Sequence, residues 1–401
     1  MNSTLSSEDL DNDIRIQQVQ QSAPDAVQFY ISEENFNNDP YEIIQQKVVA
    51  FQPIKSKDDT RCDQASKDGG KKFENKKQIK CMRSVGTYVI QQIGRKILSG
   101  DMNLTKISFP IKAMIAKSAL EKNLQSTIFF PLYINRAVQT VDYMEQLKLV
   151  ITATIATFHI NLSFHKPLNP ILGETVEGFL SDGTKLYAEQ ISHHPPISQF
   201  YGVGRENTYK YFGNYCYEAS AGLNSITLKN KGKRTIVFNG GQRIDYNFAY
   251  ELYSGTIMGS MKVETLGVST YQTNKGLTAT LKFGKVKRKA TDYFEGSINM
   301  GPQELCKIFG TYMGYIEFDG VRYWDHRHMY PHQVTIKPPF LPSDAQLRGD
   351  YTNLAALDID KAQIEKENLE NLQRHDAKLR TKFKEIRRKK EEKKKSHDHH
   401  D

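Results

Sequence analysis

Two adjacent histidines followed by two prolines stand in Glu189-Gln190-Ile191-Ser192-His193-His194-Pro195-Pro196, the string of this 401-residue chain best suited to chemistry. Each proline fixes its own φ at about −65° and drives the preceding residue out of the helical region, so the sequence predicts an extended His194 on a stiff backbone. Imidazoles held this way can meet a phosphate, ligate a metal or pass a proton. Successive residues of a regular strand point to opposite faces, so two rings serving one ligand require the chain to leave strand geometry here.

Two further segments offer charge. Lys166-Pro167-Leu168-Asn169-Pro170-Ile171-Leu172-Gly173-Glu174 hangs a cation and an amide from a loop restrained by two prolines. That suits a phosphate beside a hydroxyl, and equally an ordinary turn with a surface lysine. Lys366, Glu370 and Arg374 fall at i, i+4 and i+8, about 40° apart per step on one helix face. They read as a solvated ion-pair ladder or as a helix pressed over a cavity mouth, with Lys366 and Arg374 aimed at phosphates and Glu370 holding Lys366. A metal needs more ligands than two histidines. Asp325-His326-Arg327-His328 puts His-x-His on one strand face, yet Arg322 and Arg327 disfavour a cation and no third segment has a matching cluster. Ser192 adjoins His193 without a nucleophile elbow around it, which leaves a His-dependent hydrolase as a weaker alternative.

The elements that must position these residues are legible in outline. Residues 1–80, rich in Gln, Asn, Asp, Ser and Lys, read as a disordered or loosely attached extension. Glu33 to Asp39 within it has the look of an acidic, Phe-containing docking motif for endoplasmic-reticulum proteins. Tyr88, Val89, Ile90, Ile93, Ile97 and Leu98 recur at helical spacing, with Gly100 as a stop. Met144 to Ile160 reads as a helix with broad apolar coverage. From 171 to 336 short alternating runs such as Leu277, Ala279, Leu281 and Phe283 predict strands, and Asp319-Gly320 predicts a hairpin. Repeated hairpins over this length predict a mainly β protein of the α+β class, a large barrel or sandwich able to enclose a cavity. Ala355 to Lys395 lacks Pro and Gly and reads as helix.

Much of the formal net charge of +9 sits between Lys378 and Lys395. A basic balance permits contact with anionic membranes or nucleic acid. Cys62, Cys81, Cys216 and Cys306 lack metal-ligand spacing and read as reduced thiols. The first residues carry no secretory pattern, and the longest apolar run, Leu149 to Phe158, is too short to span a bilayer.

The string EQISHHPP resembles the signature of the oxysterol-binding-protein-related family of lipid-transfer proteins. The Leu-Asn-Pro loop and the Lys-x3-Glu-x3-Arg helix resemble that family too, in the family's order, over roughly residues 85–390. The resemblance implies a large incomplete antiparallel β-barrel around an apolar lipid tunnel, with an N-terminal lid at about 88–107 and flanking helices. It divides the chain into the extension 1–80, a lipid-binding domain 81–377 and a basic C-terminal helix or tail 378–401. It assigns Lys166, Asn169, His193, His194, Lys366, Glu370 and Arg374 to the head group of phosphatidylinositol 4-phosphate, with Leu168, Pro170, Glu189, Ser192, Pro195 and Pro196 as supporting motif. A second lipid shares the tunnel, a sterol in first place and phosphatidylserine as the alternative. The family often closes with a Trp- and Phe-containing segment, whereas this chain ends in a Lys- and His-rich run. Shelter is the physical need: each exposed CH₂ costs about 0.8 kcal/mol, so one acyl chain costs on the order of 10 kcal/mol. On this reading the chain is no enzyme, uses no cofactor or metal, binds no nucleic acid, and acts as a cytoplasmic monomer, peripheral and reversible at anionic membrane surfaces or membrane contact sites. A basic scaffold binding membranes or RNA through 378–395 is the remaining alternative.

Overall fold

The computed structural model describes Ile54 and residues 58–97 and 108–397. In chain order the strands are β1 (Lys71–Lys72), β2 (Met114–Ser118), β3 (Lys166–Leu168), β4 (Thr175–Phe179), β5 (Lys185–Ser192), β6 (Ile197–Val203), β7 (Tyr209–Ala221), β8 (Ser225–Asn230), β9 (Arg234–Phe238), β10 (Arg243–Tyr246), β11 (Tyr250–Ser254), β12 (Lys262–Thr273), β13 (Leu277–Phe283), β14 (Tyr293–Met300), β15 (Gln303–Thr311), β16 (Tyr315–Phe318) and β17 (Val321–Asp325). The helices are α1 (Lys76–Ile97), α2 (Ala119–Leu124), α3 (Phe130–Gln139), α4 (Tyr143–Ile155), α5 (Phe158–Asn161), α6 (Gly349–Ala355) and α7 (Ile359–His397).

One antiparallel sheet runs β17-β16-β15-β14-β13-β12-β10-β9-β7-β6-β5-β4, and β8 and β11 branch from it, bridging β7 to β12. Alternation drives this arrangement. On β13 Leu277, Ala279, Leu281 and Phe283 are buried while Thr278 and Lys282 are exposed, and β5 alternates in the same way. The β16–β17 hairpin turns at Asp319 and Gly320, with φ of 49° and 77°. Both central residues are left-handed there, the geometry that matches strand twist and that Asp-Gly tolerates.

Helices α2 to α4 share one buried apolar core with the sheet. In α4 every residue from Leu149 to Ile155 is buried, the mark of a helix enclosed on all sides. Its start is fixed by Asp142, whose carboxylate accepts from the Met144 amide at 2.8 Å. Inside the core Thr154 bonds the Tyr271 hydroxyl at 2.7 Å.

The extension departs from expectation over 58–80. Arg61 Nε donates to Asp292 at 2.9 Å, the Cys62 amide to the Met313 carbonyl at 2.8 Å, and β1 pairs with β12. The attachment is built from polar side chains and main chain, which composition alone reads as solvated. Helix α1 likewise starts at Lys76, twelve positions before the periodic run at Tyr88. Residues 98–107, with Gly100, and the segment Glu33 to Asp39 lie outside the described residues.

Candidate functional site

A cavity of about 440 Å³ lies between the inner face of the sheet and the helices. Its walls are mostly apolar, with Phe158, Leu162, Phe164, Phe248 and Met261 among them. Helix α1 closes one side through Met82, Val85 and Gly86. A Cβ on Gly86 would stand 2.8 Å from the Thr256 carbonyl oxygen, so the glycine lets the helix come down onto the sheet.

Charged and polar groups gather where β3, the β5–β6 turn and α7 meet. His193 to Pro196 form the turn between β5 and β6, with a cis His194–Pro195 bond, and the chain leaves strand geometry as a shared ligand requires. The two imidazoles stand 4.5 Å apart, centroid to centroid. His193 lines the cavity half-buried and His194 is exposed. Burial, and then the neighbouring His194, pull the His193 pKa below its usual 6.5, with Glu370 opposing.

Lys166, at the start of β3, donates to Asn169 Oδ1 at 2.5 Å and to the Pro167 carbonyl at 3.3 Å. Its ammonium lies 5.4 Å from the centre of the Phe109 ring. Burial first, then repulsion from Lys366, lowers its pKa to about 8. Lys366 on α7 is only 5 % exposed. It donates to Ser108 Oγ at 2.8 Å and pairs with Glu370, and Ser108 donates in turn to Glu370 at 2.9 Å. Arg374 is largely exposed, with Nη1 3.7 Å from Glu370 Oε2. The small apolar cluster of Ile111, Met114, Leu168, Leu354 and Ala362 locks β2, β3, α6 and α7 together beneath these groups.

A hydrogen-bonded ion-pair knot lies next to them. Arg348 donates to Asp350 through Nε at 2.9 Å and Nη2 at 2.6 Å, and through Nη1 to Glu174 at 2.6 Å and to the Asn169 carbonyl at 2.8 Å. Glu174 also accepts from Ser118 Oγ and from the Ile171 amide at 3.0 Å. The Asn169–Glu174 loop is therefore clamped from three sides. Ser118 additionally caps α2 in a capping box with Glu121.

Lys166, Asn169 and His193 thus line the cavity, Lys366 and Glu370 stand beside them, and exposed Arg374 follows one turn along α7. Pro170 and Pro196 line the cavity and Leu168 is buried. Two supporting residues are placed otherwise. Glu189 points to the outer face of β5 and borders an open hollow of about 1170 Å³ with Tyr187 and Tyr201. Ser192 serves through its carbonyl, which accepts from Gln190 Nε2 at 2.6 Å. His326 and His328 follow β17, where Arg327 grips Asp325. Among the described residues no group of three or more His, Cys, Asp or Glu side chains is placed to hold a metal.

Sequence reasoning passed over several groups of the site. Gln190 faces inward and accepts from Ser198 Oγ at 2.6 Å, and both line the cavity. Period-two counting along β5 from Leu186 and Ala188 reaches Gln190. Lys122, whose pKa burial lowers to about 8, also lines it. Ser108, Phe109 and Arg348 carry no motif, because their roles arise only from tertiary contact.

A family model described as oxysterol-binding protein matches residues 90–400. The chain belongs to the oxysterol-binding protein family. Its members are lipid-binding and lipid-transfer proteins. This chain is 32% identical over 336 residues to "Oxysterol-binding protein 9" of Dictyostelium discoideum, covering 77% of this chain and 78% of that one. It is 27% identical over 248 residues to human "Oxysterol-binding protein-related protein 1", covering 58% of this chain but only 25% of the relative. Among solved structures, the Osh3 ORD of Saccharomyces cerevisiae in complex with PI(4)P superposes with a TM-score of 0.61 at 20% identity, covering 73% of this chain and 84% of that one. The Osh1 ORD in complex with ergosterol gives 0.63 at 16% identity, covering 86% and 88%. These two establish the shared fold: a mainly β, antiparallel sheet with few helices.

Proposed function

We propose that this oxysterol-binding family member takes up phosphatidylinositol 4-phosphate with its head group on Lys166, Asn169, His193, His194, Lys366, Glu370 and Arg374 and its acyl chains in the cavity. A sterol competes for the same space, with phosphatidylserine as the alternative second cargo, and the chain carries these lipids between membranes. The observation that carries the reading is the excess of cations at the cavity mouth. Lys166 and Lys366 come from segments 200 positions apart, and Lys366 adds to the burial that lowers the Lys166 pKa, while Glu370, the carboxylate bonded to Lys366, opposes that shift. Such a cluster pays for its own desolvation only when an anion arrives. The bound PI(4)P of the Osh3 domain and the ergosterol of the Osh1 domain support the two ligand classes. No covalent step is involved; the cytoplasmic face of membranes and their contact sites are the proposed place of work, with the basic end of α7 toward anionic lipid.

The test is extraction of phosphatidylinositol 4-phosphate from liposomes that also hold sterol and phosphatidylserine, wild type beside His193→Ala/His194→Ala. Wild type should extract the phosphoinositide and the double variant should lose it, while the other lipid that leaves the vesicles names the second cargo. Wild type that extracts no phosphoinositide refutes the reading.

A further inference from the structure

Inside the cavity, on β9, stands a charge that the head-group site does not use. Arg234 is 0 % exposed and lines the cavity. None of its three guanidinium nitrogens has a hydrogen-bond partner among the described residues. The guanidinium is sandwiched between the Tyr215 ring at 4.4 Å and the Phe248 ring at 4.1 Å. The rings hold it by cation–π attraction but offer its in-plane N–H groups nothing. Tyr215 is turned away: its hydroxyl lies within hydrogen-bond distance of the Asn123 carbonyl at 3.1 Å and of Ser126 Oγ at 2.9 Å. Tyr217 is committed likewise, to Asn123 Oδ1 at 3.2 Å. The Asn123 side-chain nitrogen lines the same cavity, buried and without a partner. A buried guanidinium without acceptors is among the costliest arrangements a fold can hold, and the planar fork matches a carboxylate.

We propose that Arg234 is the anchor of a second, interior binding site, one that takes the carboxylate of a single-chain apolar acid of the fatty-acid class. The carboxylate bridges the Arg234 fork, with the Asn123 amide as a further donor within the same cavity. The apolar body lies along Phe158, Phe248 and Met261 toward the mouth. This inference rests on the cavity being a lipid tunnel, but not on the phosphoinositide site, since Arg234 belongs to the sheet and not to the β3, β5–β6 and α7 cluster.

The test is binding of radiolabelled oleate to delipidated full-length protein, with methyl oleate, oleyl alcohol and ergosterol as competitors. Wild type should prefer oleate to methyl oleate and oleyl alcohol by at least about tenfold, the value of a charged hydrogen bond. Arg234→Met should lose that discrimination and Arg234→Lys should keep part of it. The wild-type comparison stands on its own if the variants fail to fold. Equal wild-type affinity for the acid and its methyl ester overturns the proposal, as does full oleate preference in Arg234→Met. Wild type that binds ergosterol but no oleate overturns the interior acid site alone; wild type that binds neither removes the lipid tunnel with it.

Discussion

Two clusters of buried charge sit side by side, and they are built on opposite principles. In the Arg348 knot one guanidinium faces Glu174 and Asp350, both fully buried, and each of its three nitrogens donates a hydrogen bond. At the other cluster Lys166 and Lys366 share the one carboxylate of Glu370, and burial followed by repulsion from Lys366 lowers the Lys166 pKa. The first is finished as it stands and holds the loop that bears Asn169. The second holds two cations to one carboxylate, and on the proposed function an anion completes it. A buried network whose cation is fully matched by hydrogen-bonded carboxylates reads as scaffold, the balanced kind; one with more cations than carboxylates reads as a binding site, the unbalanced kind, and Arg234 inside the cavity is the second kind carried to its limit.

Breaking the balanced cluster should have the largest effect. Arg348→Met strands Glu174 and Asp350 without a counter-charge, which should cost about 3–5 kcal/mol of stability by urea unfolding. Because the same arginine bonds the Asn169 carbonyl, lipid extraction should fall as well. A variant as stable as wild type refutes the scaffold role. Lys366→Met attacks the unbalanced cluster and should act on the ligand more than on the fold. Losing a charge-assisted hydrogen bond of about 1.5–3 kcal/mol predicts phosphoinositide affinity down by roughly 10- to 100-fold. Urea unfolding should show a smaller loss than for Arg348→Met, because Ser108 still donates to Glu370. Equal losses of stability in the two variants would erase the contrast.

The sequence made the unbalanced cluster visible and hid the balanced one. His193-His194-Pro195-Pro196, Lys166 with Asn169, and Lys366 with Glu370 announce themselves by rare strings or helical spacing. The short alternations, such as Leu277 to Phe283, fix which faces of the strands turn inward. Arg348 has no motif, and its partners lie 174 positions away in Glu174 and two positions away in Asp350. Arg234 was within reach: Arg234, Ile236 and Phe238 share one face of β9, so the two apolar residues place the arginine inside. The polar stretch 58–72 misled in the opposite direction, because hydrogen-bonded attachment leaves no hydrophobic trace in composition.

The finest test of the contrast lies at its edge. Glu121 is 7 % exposed and belongs to the balanced side through Ser118, yet among the described residues it makes no ion pair. Burial raises its pKa from 4.5 to about 7, against the Ser118 amide and Lys117, which favour the charged form. A carboxyl raised in the folded state binds more protons there than in the unfolded chain, so its cost is absent below about pH 4.5. That cost grows as pH rises and is complete above about 7. Glu121→Gln keeps the capping box, which accepts either residue, and removes the charge. The variant should match wild type at pH 4 and exceed it at pH 8 by roughly 1–3 kcal/mol, read as a gap between thermal midpoints that opens between those limits. A gap that is constant with pH would mean that the change acts through packing and that burial leaves the Glu121 carboxyl titrating alike in the folded and unfolded chain.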